Sequence, residues 1–101
     1  MATFRTHCFC METIKSIQNI LIFEQVARTL SFSESAKVLG ISKSQVSKSI
    51  TALEEELGLS LFFRSTRKIH LTPKGHEFLD QCQSSLRQLE NAKNQMISNS
   101  K

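Results

Sequence analysis

Four apolar residues, Val46, Ile50, Leu53 and Leu57, recur at intervals of four, three and four. Only a helix returns every third or fourth side chain to the same side, so this spacing commits the stretch from Ile41 to Leu57 to a helix with one narrow buried stripe. Ser42 stands where an N-cap belongs, its hydroxyl able to accept from an amide of the first turn. The opposite face carries Ser44, Lys48, Thr51 and Glu55, with Gln45 and Ser47 toward its edges. That face is split along its length. Its first half is small, polar and positive, and its second half ends in Glu54-Glu55-Glu56. Donors and cations at the N-terminal end with acids at the other suit a helix that docks end-on into DNA. An ordinary amphipathic helix with a solvated face would look the same over this stretch alone, so its surroundings have to decide.

Before it, Ile17, Ile20, Phe23, Ala27 and Leu30 keep helical spacing, which predicts a first helix from about Thr13 to Thr29. Ser31 with Glu34 has the form of a capping box, although Ser33 could equally be the cap. A short second helix follows over Glu34 to Leu39, with Ala36 and Leu39 inward. Gly40 stands where a helix ends in a left-handed residue. A short helix, a tight glycine turn and a polar-faced helix make a helix-turn-helix, and Ala36 is small where the two helices must approach.

After it, Gly58 again marks a stop. Leu61-Phe62-Phe63-Arg64 reads as a strand, Ser65-Thr66-Arg67 as a turn, and Lys68-Ile69-His70-Leu71 as a returning strand with Ile69 and Leu71 inward. Such a hairpin is marginal alone and must pack on the helices. Its basic tip reads either as a solvated loop or as a wing that meets phosphates. Between Leu57 and His76 lie Arg64, Arg67, Lys68 and Lys74 and no acid, which favours the wing.

Thr72 is a natural N-cap and Pro73 fits the first position of a last, long helix reaching about Ile97. Leu79, Cys82, Leu86, Leu89, Lys93 and Met96 alternate by three and four along it, a heptad seam that wants a partner helix. The simplest partner is the same helix of a second copy, the alternative being a stripe folded back on the domain itself. The domain plan is thus a disordered extension over residues 1–12, a winged helix-turn-helix over 13–72, a linker and dimerisation helix over 73–98, and a disordered tail over 99–101.

Composition bounds the function. With 101 residues there is room for one domain and no separate substrate lobe, and 13 basic against 9 acidic residues suit a polyanionic partner. Cys8, Cys10 and Cys82 form no disulfide framework, which points to a reducing cytoplasm. His7-Cys8-Phe9-Cys10 is half a zinc site at most, with no further ligands nearby, so no metal and no cofactor are expected. No apolar run approaches the length of a membrane span, and no nucleophile motif, paired acid–base carboxylates or glycine-rich phosphate loop is present. An enzyme is the least supported class.

In this order of elements the sequence resembles the N-terminal DNA-binding domain of LysR-type transcriptional regulators. The resemblance is carried by Phe23-Glu24-Gln25-Val26-Ala27, Ser31-Phe32-Ser33-Glu34-Ser35-Ala36, Leu39-Gly40-Ile41-Ser42, Val46-Ser47-Lys48-Ser49-Ile50 and Leu53-Glu54-Glu55-Glu56-Leu57-Gly58. It continues through Leu61-Phe62-Phe63-Arg64 and Leu71-Thr72-Pro73-Lys74-Gly75, covering roughly residues 17 to 82. It implies a mostly α fold, three helices plus a two-stranded wing followed by a long helix, whose third helix enters the major groove. It also implies a homodimer through the C-terminal helix on an inverted-repeat operator of double-stranded DNA.

Carried over by position, Lys43, Ser44, Gln45, Ser47 and Lys48 are the base readers, with Ser42 at their head. Ser33 would touch the backbone, and Arg64, Arg67 and Lys68 would serve the wing. The dimer seam is Leu79, Cys82, Leu86, Leu89 and Met96. Three departures stand out: Lys43 where the family often has Gln, Gln45 where a small residue is common, and Phe63 at a position often polar. Family members usually continue into an effector-binding domain, whereas this chain stops at Lys101 and is expected to lack a small-molecule effector site. The competing reading is a short interaction module that pairs through its last helix with a full-length relative. A third, another winged-helix regulator of the MarR kind, would bring extra dimerisation helices around the motif.

Overall fold

The computed structural model describes residues 2–65 and 68–99, with side chains from residue 11 onward. Its elements are α1 (Ala2–Thr29), α2 (Phe32–Leu39), α3 (Lys43–Leu57), β1 (Phe62–Arg64), β2 (Ile69–Leu71) and α4 (Pro73–Asn99). The two strands pair antiparallel, Phe62 opposite Leu71, Phe63 opposite His70 and Arg64 opposite Ile69. Three helices, a wing and a long last helix form the mostly α winged helix-turn-helix that the sequence implied.

One core joins them. Phe23, Val26, Ala36, Val46, Ile50, Leu53, Leu61, Phe62 and Cys82 are buried together, with Phe78, Leu79, Ile69 and Leu71 packed at its margin. Phe23 has no exposed surface, and its ring centroid lies 5.5 Å from that of Phe62 and 5.4 Å from that of Phe78. Such tilted pairs add about 0.5–1.5 kcal/mol each beyond the area they bury. Through them α1 is fastened to both the wing and α4.

The helix ends follow local chemistry. Ser31, not Ser33, caps α2, its Oγ accepting from the Glu34 N–H at 3.1 Å. Gly40 and Gly58 end α2 and α3 with φ of 70° and 73°, a region costly for any residue with a Cβ. Leu30 makes the same left-handed turn after α1, at φ 53°, without being a glycine. It therefore leaves the first helix's stripe and is 42% exposed, whereas Val26, absent from that stripe, is fully buried. Leu57 is likewise exposed at the end of α3, and the small buried Ser49 widens the stripe in its place.

α1 begins at Ala2 rather than near Thr13. No glycine or proline stands between Ala2 and Thr29, so nothing in the backbone stops the helix from extending beyond its amphipathic part. Of the tail expected over 99–101, Asn99 closes α4 and the last two residues lie outside the described ones.

The start of α4 is welded to the base of the wing. Thr72 is buried; its Oγ1 donates to the Ser60 carbonyl at 2.8 Å and accepts from the Gly75 N–H at 2.9 Å. The Thr72 N–H in turn donates to the Leu61 carbonyl at 2.9 Å. Gly75 is a close-approach glycine rather than a turn glycine. A Cβ on it would run into the Leu61 carbonyl oxygen and press on the Leu71 side chain. Gly75→Ala is therefore expected to cost about 1–3 kcal/mol. Thermal unfolding followed by circular dichroism would read this as a fall of roughly 4–8 °C per kcal/mol; an unchanged midpoint would contradict the packing.

Candidate nucleic-acid interface

The first turns of α3 carry every residue expected to read bases. Ser42 is the N-cap, its Oγ accepting from the Gln45 N–H at 3.0 Å. Ser42, Lys43, Ser44, Gln45 and Lys48 are exposed and Ser47 half-buried, while Val46, Ser49 and Ile50 turn inward. Gln45 Nε2 donates to Ser49 Oγ at 3.3 Å, which lays the amide along the helix. A primary amide has a second N–H and a carbonyl oxygen, the pair that the N6/N7 edge of adenine requires. The lysines offer donors for guanine O6/N7 or for phosphate.

Beside this face lies an open cleft of about 390 Å³ between the start of α2 and the wing. Ser33, Lys43, Arg64, Ser65 and Lys68 line it together with Phe32 and Ile69. Four of the residues singled out in the sequence thus meet in one place from three separate segments. The N-terminus of α2 opens beside it, and because Ser31 does the capping, the Ser33 hydroxyl is left exposed. Helix amides and cations together make a surface suited to an anionic oxygen. Arg67 lies outside the described residues.

The wing's charge is not as unopposed as the acid-free run suggested. Glu54 reaches out of the last turn of α3: its Oε1 lies 3.1 Å from Arg64 Nη2, and its Oε2 accepts from the Leu61 N–H at 2.8 Å and from the Phe62 N–H at 3.4 Å. The Arg64 guanidinium also sits 5.5 Å from the centroid of the Phe32 ring. Glu54 and Phe32 are thus neighbours of Arg64 that their places in the sequence did not indicate. Gly58 was the available signal, because a left-handed stop folds the following strand back over the turn that holds Glu54. At the far end of α3, Glu56 accepts from Ser16 Oγ at 2.8 and 3.0 Å, tying the helix to α1.

Beyond the strands, Ser65 Oγ donates to the Lys68 carbonyl at 3.0 Å and accepts from the Lys68 N–H at 3.2 Å, which ties these two residues together. Phe63, at the position where a polar residue is common, is 59% exposed and lies on the wing surface rather than in the core.

The seam of α4 divides in two by burial. Leu79 packs at the margin of the core, and Cys82 is buried within that core. Leu86 is half-buried, and Leu89 and Met96 are each 65% exposed. Lys93, within the seam, pairs with Glu90 at 3.0 Å. Burial pushes the Cys82 thiol above its ordinary range, and the nearby Glu24 carboxylate pushes it further. Glu24 is itself held by Arg28 at 2.8 Å. Among the described residues no helix is long and apolar enough to cross a membrane.

Known proteins share this arrangement. The family model described as the bacterial regulatory helix-turn-helix protein, lysR family, matches residues 17–76. The chain is 39% identical over 102 residues to the HTH-type transcriptional regulator DsdC of Escherichia coli, covering 87% of this chain and 33% of that protein. It is 38% identical over 84 residues to the HTH-type transcriptional regulator y4mQ of Sinorhizobium fredii, covering 83% of this chain and 28% of that one. The chain therefore spans a third or less of the length of these relatives. Among solved structures, the DNA-binding domain of CbnR in complex with DNA superposes with a TM-score of 0.75 at 28% identity, covering 83% of this chain and 97% of that one. The DNA-binding domain of BenM with catB site 1 DNA gives a TM-score of 0.77 at 29% identity, covering 82% and 93%.

The placement of Cys82 is testable by pH. Its neutral form is favoured in the fold, so this contribution to stability is fully present below the ordinary thiol value of about 8.5 and is lost as pH rises above it. Urea unfolding between neutral pH and pH 10 should show stability falling for the native sequence and falling less for Cys82→Ala. Equal slopes would place the thiol in water.

Proposed function

The chain belongs to the lysR family of bacterial regulatory helix-turn-helix proteins, and we propose that it regulates transcription by binding double-stranded DNA as a homodimer. The observation that carries this reading is the meeting of two surfaces. The exposed first turns of α3, from Ser42 to Lys48, adjoin a cleft whose cations come from α3 and the wing. In the proposed complex α3 lies in the major groove with Gln45 and Lys48 at base edges and Lys43 beside them. Ser33, Arg64 and Lys68 serve the phosphates, and Arg67 is assigned with them by its place in the sequence. The DNA complexes of CbnR and BenM, which share the fold, support DNA as the partner.

Two copies would pair through the outer half of α4, where Leu86, Leu89 and Met96 present an apolar stripe; Leu79 and Cys82 then hold α4 to its own body. Two-fold pairing implies an inverted-repeat operator. The same stripe also suits pairing with a longer relative, and mixing the chain with such a protein would reveal heterodimers in place of homodimers.

Selection of bound duplexes from a random pool tests DNA binding, half-site symmetry and base identity together; no enrichment would sink the proposal. On a selected site, log K should fall against log[salt] with a slope near −0.9 per neutralised phosphate. Lys48→Ala should weaken that site by about 1–3 kcal/mol while barely changing a scrambled duplex. Glu55→Ala, at the other end of the face, should weaken neither duplex.

Self-association is checked separately. Leu89→Glu should shift sedimentation toward the monomer with the helical content unchanged, because Leu89 is 65% exposed. A persistent dimer would move the interface elsewhere.

A further inference from the structure

We infer that Glu54 is a positioning residue for DNA recognition, its carboxylate locking the wing and Arg64 to the recognition helix. The inference rests on the proposed DNA binding and adds a role for an acid that phosphate would repel. One carboxylate is shared among three donors on the far side of the Gly58 stop. Oε2 takes the Leu61 N–H at 2.8 Å and the Phe62 N–H at 3.4 Å, and Oε1 takes Arg64 at 3.1 Å. Its side chain is only 17% exposed, so these bonds are shielded from competition by water.

Arg64 carries the linkage onward. Its guanidinium stacks over Phe32 in the first turn of α2, 5.5 Å from the ring centroid. The planar fork can meet a carboxylate at its edge and a ring at its face, which a lysine cannot do. α2, α3 and β1 are thereby joined through Glu54 and Arg64, the second of which lines the cleft that also holds Lys43 and Lys68. The relative position of base-reading and phosphate-facing groups is set here, before DNA arrives.

A bare charge effect and a positioning role predict opposite signs. If Glu54 only repels phosphate, removing its charge strengthens binding to every duplex. If it positions the wing, binding to the selected site weakens while binding to a scrambled duplex holds or rises. Glu54→Gln separates them, because its amide oxygen still accepts from the Leu61 N–H but no longer pairs with the Arg64 charge.

The full chain is titrated against a pool-selected duplex and a scrambled duplex by fluorescence anisotropy, with thermal unfolding run in parallel. The expected result is a specific-to-scrambled ratio lowered about tenfold, the equivalent of one lost charge-assisted hydrogen bond, with unfolding still cooperative. An unchanged or raised ratio overturns the inference. Should Glu54→Gln fail to fold, Arg64→Lys preserves the charge and removes the fork. It should lower the ratio similarly, and an unchanged ratio there is equally fatal. A native chain that shows no sequence preference sinks the DNA reading itself, in a measurement that involves no substitution.

Discussion

Phe23 lies with no exposed surface between the rings of Phe62 and Phe78, and in doing so makes one body of three segments far apart in sequence. Without that cluster the wing would be a two-stranded ribbon of three residues a side, too small to persist in water. The same cluster seats α4, whose first turns contribute Phe78, Leu79 and Cys82. Recognition helix, wing and last helix therefore share a single hydrophobic foundation, and none can shift far without repacking the others.

On that foundation the polar chemistry is arranged by helix ends. Ser31, Ser42 and Thr72 each begin a helix by accepting an amide three residues on, at 3.1, 3.0 and 2.9 Å. Two of the three starts, those of α2 and α3, lie beside the cleft and the exposed face of α3. Their positive ends and the cations of Lys43 and Lys68 face the same region, whereas two of the three acids of α3, Glu54 and Glu56, are drawn off to Leu61, Arg64 and Ser16. Charge separation along one helix is thus enforced by specific bonds, not just by distance.

Much of the fold was legible because its signals are local. Gly40, Gly58 and Pro73 mark stops and starts, and the spacing of Val46, Ile50 and Leu53 identifies the buried face of α3. What escaped depends on tertiary geometry. Leu30 turns left-handed without being glycine, so its exposure could not be read from periodicity. Gly75 had no signal of its own in the sequence, since only the three-dimensional approach of the Leu61 carbonyl explains it. Cys82 fell on the heptad seam, but α1 reaches it first. Among the expected site residues, Ser33, Lys43, Arg64 and Lys68 converge on one cleft, a convergence their scattered positions did not reveal. Glu54 was read by its charge alone, and its partners lie across a chain reversal.

The joint at Thr72 and Gly75 has a mechanical consequence. α4 contains 27 residues, so it is a rod of roughly 40 Å clamped at one end to the base of the wing. A clamp of that kind acts as a lever: a tilt of about 5° at the joint moves the far tip by about 3.5 Å, close to the rise of two helical residues. The hydroxyl of one threonine and the missing side chain of one glycine therefore set an angular tolerance, and the rod magnifies it. In a pair of such rods, the distance between two recognition helices would be governed by how stiffly this small joint is made.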